Sequence, residues 1–444
     1  LIIKLDGRFV KIKGFDELMS ELMWVFDEIG PIREELIKIT NERIKSFNEK
    51  LGNVDTNQKE VSAFEYDILA EKESDFEKRK QIYLEALEKY PTTGWLWWKF
   101  TSFLYDEKKD YDGLDEYYQK ALEFNKNEAK IIGNYAEFLR IIKKDFKKAE
   151  EFYLRALSIE PDNAILNGNY ASSLSNNKKE YYKAKRFYLK ALTLDPDDAI
   201  NYGNYASFLH NHKKDYHKIE EYYLQALYRQ PDNAIINGNY AFFLSDYKRE
   251  YHKAEGFYLK ALALDPHDAT TNANYASFLS NHKKEYQRAE DFYFKALLLD
   301  PNDANILGKY AYFLKNIRKD YSQSEEFLFK AIIIEPDNIN CNLNYAQMLL
   351  EKGEKKEARK YIQIALDNIN EEEKDALIEL WFYRYAHYPE FLQEAETKII
   401  ELLSQGNRSL DWDFSRNIEQ AIKEGHPNPE KLKEFAQRIT TEVE

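Results

Sequence analysis

Apolar positions in the middle of the chain recur at helical spacing, in matched pairs of stretches. Over residues 164 to 176, Tyr170, Ala171 and Leu174 fall at i, i+1 and i+4; over residues 181 to 194, Ala184, Tyr188, Ala191 and Leu192 fall at i, i+4, i+7 and i+8. A polar turn at residues 177 to 180 separates them. The spacing predicts two antiparallel helices, with Ala set against large aromatics so that the pair can interdigitate at close range. The same unit then returns: Pro161, Pro196, Pro231, Pro266, Pro301 and Pro336 are each 35 residues apart, as are Tyr135, Tyr170, Tyr205, Tyr240, Tyr275, Tyr310 and Tyr345. Each Pro except Pro266 is followed by Asp or Asn, a pair that stops one unit and starts the next. A fixed period of this size means stacked helical hairpins, none of which buries its apolar face alone.

The turn aromatics Phe76, Tyr111, Phe146, Tyr181, Tyr216, Tyr251, Tyr286 and Tyr321 keep the same step. They predict an array over residues 60–370 of nine helix pairs, the last of them shorter. Residues 371–444 lose the period but keep amphipathic spacing at Leu377, Leu380, Trp381, Tyr385, Phe391, Ile399 and Leu403, as expected of a helical C-terminal cap that hides the apolar end of a stack. Before the array, apolar runs flank Asp6-Gly7 and predict a short β-hairpin over residues 1 to 12. Helical spacing follows from Phe15, and Gly30-Pro31 ends one helix and starts another. Residues 1–51 thus read as an N-terminal cap or the remnant of a domain, and the polar residues 52–59 as a linker.

Composition narrows the function. Aromatic residues make up 15% of the chain, with 34 Tyr and 27 Phe, so apolar surface is ample although 32% of residues are charged. A net charge of −14 argues against a nucleic-acid partner, because tracking phosphates needs a basic stripe. The single Cys341 excludes an intrachain disulfide and fits a reducing compartment, so a cytoplasmic protein is expected. No apolar run reaches the roughly 18 residues of a membrane span, and no signal segment opens the chain, although its start at Leu1 leaves room for a trimmed one.

The units resemble tetratricopeptide repeats. The family's small residues, aromatic and terminal proline are matched by Ala171, Ala184, Tyr188, Ala191 and Pro196, and again by Ala206, Tyr223, Ala226 and Pro231 and by Ala241, Ala254, Tyr258, Ala261 and Pro266. The resemblance implies an all-α, right-handed superhelical solenoid of stacked antiparallel helix pairs. Two departures stand out. The family repeat is about 34 residues, and here an extra residue sits in the KK-[DE]-Y turn; the early-helix Trp is replaced by Asn167, Tyr202 or Asn237. Trp95, Trp97 and Trp98 resemble instead the half-a-tetratricopeptide class of RNA-processing scaffolds, while the pentatricopeptide class shares the step but is typically basic.

Inside the first helix lies a polar ladder, Asn134, Asn169, Asn204, Asn239, Asn274 and Asn344, broken by Lys309; Gly133, Gly168, Gly203, Gly238 and Gly308 stand one position earlier. Gly costs about 1 kcal/mol against Ala in a helix interior, so its recurrence needs a reason. The resemblance places the Asn in the concave groove, where related superhelices hold an extended peptide by its backbone. A carboxamide can both donate to and accept from any peptide unit. Ser172, Ser207, Phe242, Ser277 and Tyr312 share that groove register, followed a turn later by Ser175, His210, Ser245, Ser280 and Lys315. Alternatively the ladder is copied by duplication, the Asn bridges helices and the Gly permits tight packing.

Catalytic and metal chemistry is not spelled. There is no phosphate-binding glycine loop and no HExxH, and the histidines around His210 occupy repeat positions of turns. No cofactor and no metal is expected. The reading is a non-enzymatic interaction scaffold or adaptor that takes an extended or helical segment of another protein in its groove; the alternatives are a regulatory or sensor subunit of an enzyme assembly and an RNA-processing scaffold. The sequence leaves the oligomeric state open.

Overall fold

The computed structural model describes residues 2–5, 8–11, 62–107, 111, 113–175, 180–211, 215–369, 374–410 and 412–441. They fall into two compact units, Leu1–Ser173 and Leu174–Glu444. The expectations for residues 1–51 and 52–59 lie outside the described residues, except that the backbone segments Ile2–Leu5 and Arg8–Lys11 run antiparallel with Ile3 opposite Val10. The turn between them lies outside the described residues.

In the first unit, α1 (Ala63–Lys72) pairs with α2 (Phe76–Lys89), α3 (Gly94–Glu107) with α4 (Leu114–Phe124), and α5 (Ala129–Ile141) with α6 (Phe146–Ile159); α7 (Ala164–Ser175) follows. The second unit begins with α8 (Tyr181–Leu194). It continues in hairpins: α9 (Ala199–Asn211) with α10 (Tyr216–Arg229), α11 (Ala234–Asp246) with α12 (Tyr251–Leu264), and α13 (Ala269–Phe278) with α14 (Tyr286–Leu299). Then come α15 (Ala304–Phe313) with α16 (Tyr321–Ile334), and α17 (Ile339–Glu351) with α18 (Lys355–Asn368). Four further helices close the chain: α19 (Lys374–His387), α20 (Leu392–Ser404), α21 (Ser415–Lys423) and α22 (Pro429–Thr440).

The expected helical hairpin is the unit of the fold, and its starts follow from capping. Asn233, Asp268, Asp303 and Asn338, two residues after each proline, accept from backbone N–H groups of the helix that follows. Between units the aromatic series forms one contact again and again. The ring centroids of Tyr188–Tyr205, Tyr223–Tyr240, Tyr258–Tyr275 and Tyr293–Tyr310 lie 5.5, 5.6, 5.5 and 5.4 Å apart. Fully buried Ala206, Ala226, Ala241, Ala261, Ala276 and Ala296 let the helices approach between those rings.

The extra residue of the period is absorbed where the first helix ends. The backbone N–H groups of Asp145, Glu250, Glu285 and Asp320 donate to carbonyls six residues back, on Leu139, Leu244, Leu279 and Leu314, at 3.0, 3.0, 3.1 and 3.0 Å. The residue just before each is a Lys or Arg in the left-handed region, Lys144, Arg249, Lys284 and Lys319 with φ of 54, 53, 59 and 59°. The last hairpin lacks that residue: Glu354 N–H reaches five back to Leu349, and Gly353 takes the positive φ of 82°. These turns are more than solvated charge. Lys248, Lys283 and Lys352 each reach back one unit, to Glu220, Glu255 and Glu325 at 3.0, 2.9 and 2.6 Å. Such half-exposed pairs contribute about 0–1 kcal/mol each.

Candidate functional site

The glycines of the first helix are explained by packing. An added Cβ at Gly133 would stand 2.3 Å from Leu166 Cδ2, at Gly203 3.1 Å from Ile236 Cγ1, at Gly238 2.5 Å from Thr271 Oγ1, and at Gly308 2.9 Å from Cys341 Sγ. Every one of those neighbours is on the first helix of the next hairpin. Gly168, Gly203 and Gly238 are themselves buried. Close approach of consecutive first helices accounts for the missing side chains at Gly203 and Gly238.

A second asparagine series, two positions before the ladder, also serves the fold. Asn167, Asn237, Asn272 and Asn342 are fully buried, and each Nδ2 donates to two carbonyls: that of the preceding interunit proline, at 3.0, 2.8, 3.2 and 2.9 Å, and that of the helix-capping residue, at 2.7, 2.7, 2.7 and 2.8 Å. They latch the turn between hairpins. The signal was present in the sequence as the replacement for the early-helix Trp, but a buried carboxamide bonding its own turn is invisible without the backbone.

The ladder proper meets several environments. Asn134, Asn169, Asn204 and Asn239 are half-buried. Asn274 is buried, and its Oδ1 accepts a hydrogen bond from Lys309 Nζ. Asn344 is half-buried and donates to the Asn340 carbonyl at 2.8 Å. Among the register serines, the hydroxyls of Ser207 and Ser277 meet the buried Tyr223 and Tyr293 hydroxyls of their own hairpins at 3.0 and 2.8 Å, and Ser172 is half-buried in the first unit.

Part of this register gathers around one chamber of about 940 Å³ in the second unit. Successive first helices contribute Phe242, Ser277, Gly308, Lys309, Tyr312 and Asn344 to its wall. Asn204, Asn239 and Asn274 do not line it, although Asn274 holds the lysine that does. Further lining comes from outside the repeat: Asp375 and Glu379 of α19, with Ser409 and Trp412 from the stretch before α21. Nothing periodic announces those residues.

Lys309, the break in the ladder, is the chamber's central cation. Its Nζ lies 5.5 Å from the centre of the Phe242 ring, two hairpins back, while bonding Asn274 one hairpin back. Surrounding walls hold its ammonium below the usual lysine range, an effect of burial that Asp303 and Asp246 oppose. Lys315, in the groove register a turn later, is spent otherwise. It is buried and donates to Gln347 Oε1 at 2.7 Å and Glu351 Oε1 at 2.8 Å, joining the turn that follows α15 to α17. Cys341 also lines the chamber, yet burial pushes its thiol up to about 12.

No group of three or more His, Cys, Asp or Glu side chains among the described residues is placed to hold a metal ion. No helix among them is long and apolar enough to cross a membrane.

Comparison with known proteins agrees with the repeat unit. The tetratricopeptide repeat family model matches residues 129–163 and 167–198. No curated protein matches the chain. Among solved structures, similar chains occur in the APC/C hetero-tetramer Cut9–Hcn1 (17% identity over 65% of this chain and 55% of that one, TM-score 0.47) and in pilF of Pseudomonas aeruginosa (19% identity over 49% and 96%, TM-score 0.37). A third is YrrB, a TPR protein with an unusual peptide-binding site (22% identity over 43% and 95%, TM-score 0.28). Residues 129–163 and 167–198 are thus matched as tetratricopeptide repeats, and helical hairpins of the same kind recur in both units.

Proposed function

We propose that the protein is an interaction scaffold that holds an extended or helical segment of a partner protein along the first helices of its second unit. One observation carries the reading: Phe242, Ser277, Lys309, Tyr312 and Asn344, from four successive hairpins, face a single chamber of about 940 Å³. A wall built from repeat positions offers a partner the same spacing of contacts at each step. Aromatic faces, a lysine and carboxamides supply the mix of apolar anchor and polar orientation that segment recognition uses.

The experiment is selection of a displayed library of random 12-residue peptides on the intact chain. Enriched peptides are then measured against a Phe242→Ala, Lys309→Ala variant. The control is Tyr182→Ala, Tyr228→Ala, which alters two tyrosines that are 84% and 85% exposed and do not line the chamber. Binding kept by the control and lost by the chamber variant supports the reading. Enrichment that ignores the chamber variant, or no enrichment, refutes it.

A further inference from the structure

The groove register does not stop at Tyr312; its next member, 35 residues on, is Gln347. Both positions are already in use, and the user is the protein's own chain between α20 and α21. Trp412 lays its indole against the Tyr312 ring, with centroids 6.4 Å apart. One residue on, the Asp413 carbonyl accepts a hydrogen bond from Gln347 Nε2 at 2.9 Å, and Asn417 Nδ2 donates back to the Gln347 carbonyl at 3.4 Å. A groove carboxamide holding a main-chain carbonyl, beside a groove aromatic meeting an aromatic, is how a peptide segment would be read from these positions.

The segment is held on two sides of unequal depth. On the side away from the groove, Phe414 is buried with its ring 4.0 Å from that of Phe382, and Trp412 Nε1 donates to Tyr383 Oη at 2.7 Å. On the groove side Trp412 is only half-buried, and Asp413, Ser415 and Arg416 are exposed. The contact of Trp412 with Tyr312 therefore lies at the rim of the C-terminal core, whereas Gln347 and Asn417, which are buried, meet inside it.

We propose that residues 412–417 are an intramolecular occupant of the groove, holding in cis the steps at Tyr312 and Gln347 that a partner segment would otherwise take. The binding face is then masked at one end in the isolated chain. The proposal rests on the preceding reading that this register takes a partner segment.

The test uses the segment's own sequence as probe: the fluorescein-labelled peptide SLDWDFSRN, capped at both ends, titrated by anisotropy into the full chain. In the unaltered protein the cis copy fills its steps. In Trp412→Ala the cis copy has lost its ring from Tyr312, so the probe binds at least tenfold tighter; adding Gln347→Ala removes that gain. Circular dichroism establishes that each variant keeps its helices. Equal affinity for the unaltered and Trp412→Ala chains, or no binding to either, overturns the proposal. Amide exchange of the unaltered chain gives a second reading: exchange at residues 413–415 faster than in α19 supports a displaceable occupant, and protection as complete as that of α19 shows a fixed cap and overturns it. Library selection is read through Phe242 and Lys309, and this test through Trp412 and Gln347, so failure here is distinguishable from failure of the scaffold reading.

Discussion

Replacing Gly238 with Ala sets two effects against each other, and the structure says which wins. In an exposed helix the change gains about 1 kcal/mol, because Ala loses less backbone entropy. At Gly238 the new methyl would stand 2.5 Å from Thr271 Oγ1 and 3.5 Å from its Cγ2. Relief requires α11 and α13 to part or Thr271 to rotate, and rotation breaks the hydrogen bond from its hydroxyl to Asp268, the residue that caps α13. Overpacking of this kind costs about 1–3 kcal/mol, so the expected net is a loss of up to about 2 kcal/mol. Two comparisons isolate the cause. Gly256, exposed in the interior of α12 with nothing within 4 Å of an added Cβ, should gain up to about 1 kcal/mol as Ala. In a Thr271→Ala background the Gly238→Ala change should turn from destabilising to neutral or stabilising, a coupling of about 2 kcal/mol. Urea denaturation followed by circular dichroism gives the total effect. Amide exchange in α11 and α13 gives the local one, which matters because hairpin arrays need not unfold in a single step. If Gly238→Ala is as stable as the unaltered chain with Thr271 in place, interhelix packing is not what demands glycine here, and the reasoning fails.

Three further outcomes follow from the same structure. Burial lowers the imidazole of His387 to about 4, although Glu424 Oε2 lies 3.7 Å from its Nδ1. The unfolded chain takes up that proton near 6.5 and the folded chain only near 4, so stability is lost as pH falls through that window, by an upper limit on the order of 3 kcal/mol; denaturation at pH 7 and pH 4.5 should show a smaller loss for His387→Gln than for the unaltered chain. Cys341, 1% exposed and with its thiol raised to about 12, should react with iodoacetamide at pH 8 orders of magnitude more slowly in the folded chain than in urea; equal rates would place the thiol in solvent. Lys319 holds a φ of 59° that costs a non-glycine residue about 1–2 kcal/mol, so Lys319→Gly should stabilise by about 0.5–1 kcal/mol after its greater unfolded-state entropy is offset, measured as a rise in the urea midpoint.

What was legible from sequence is what the repeat says many times. Pro161 and its equivalents, the Tyr170 series and the Ala171 series each state one contact, and contacts between neighbouring units need no long-range information. The turn residue that lengthens the period was legible as an insertion, although its left-handed geometry at Lys284 and Lys319 was not, because neither residue type favours it. The site was harder. The ladder drew attention to the first helix of each hairpin, but whether a carboxamide there faces a chamber, a lysine or its own backbone depends on the neighbours in three dimensions, as Asn274 and Asn344 illustrate. Gly203 and Gly238 were equally compatible with ligand access and with packing until the positions of Ile236 and Thr271 were known. The lining from Asp375, Glu379, Ser409 and Trp412 follows no period, and only the folded chain brings it to the chamber that Lys309 lines.

The central claim is that the chamber is where a partner segment sits. The most direct measurement places the photo-crosslinking residue p-benzoylphenylalanine at position 242 in the full chain, and separately at position 228 on the exposed Tyr228 surface, with a peptide enriched by library selection present at saturation. A covalent adduct formed through position 242 and absent at position 228 is the predicted result. Crosslinking through position 228 alone, or equal yields at both positions, would contradict the account.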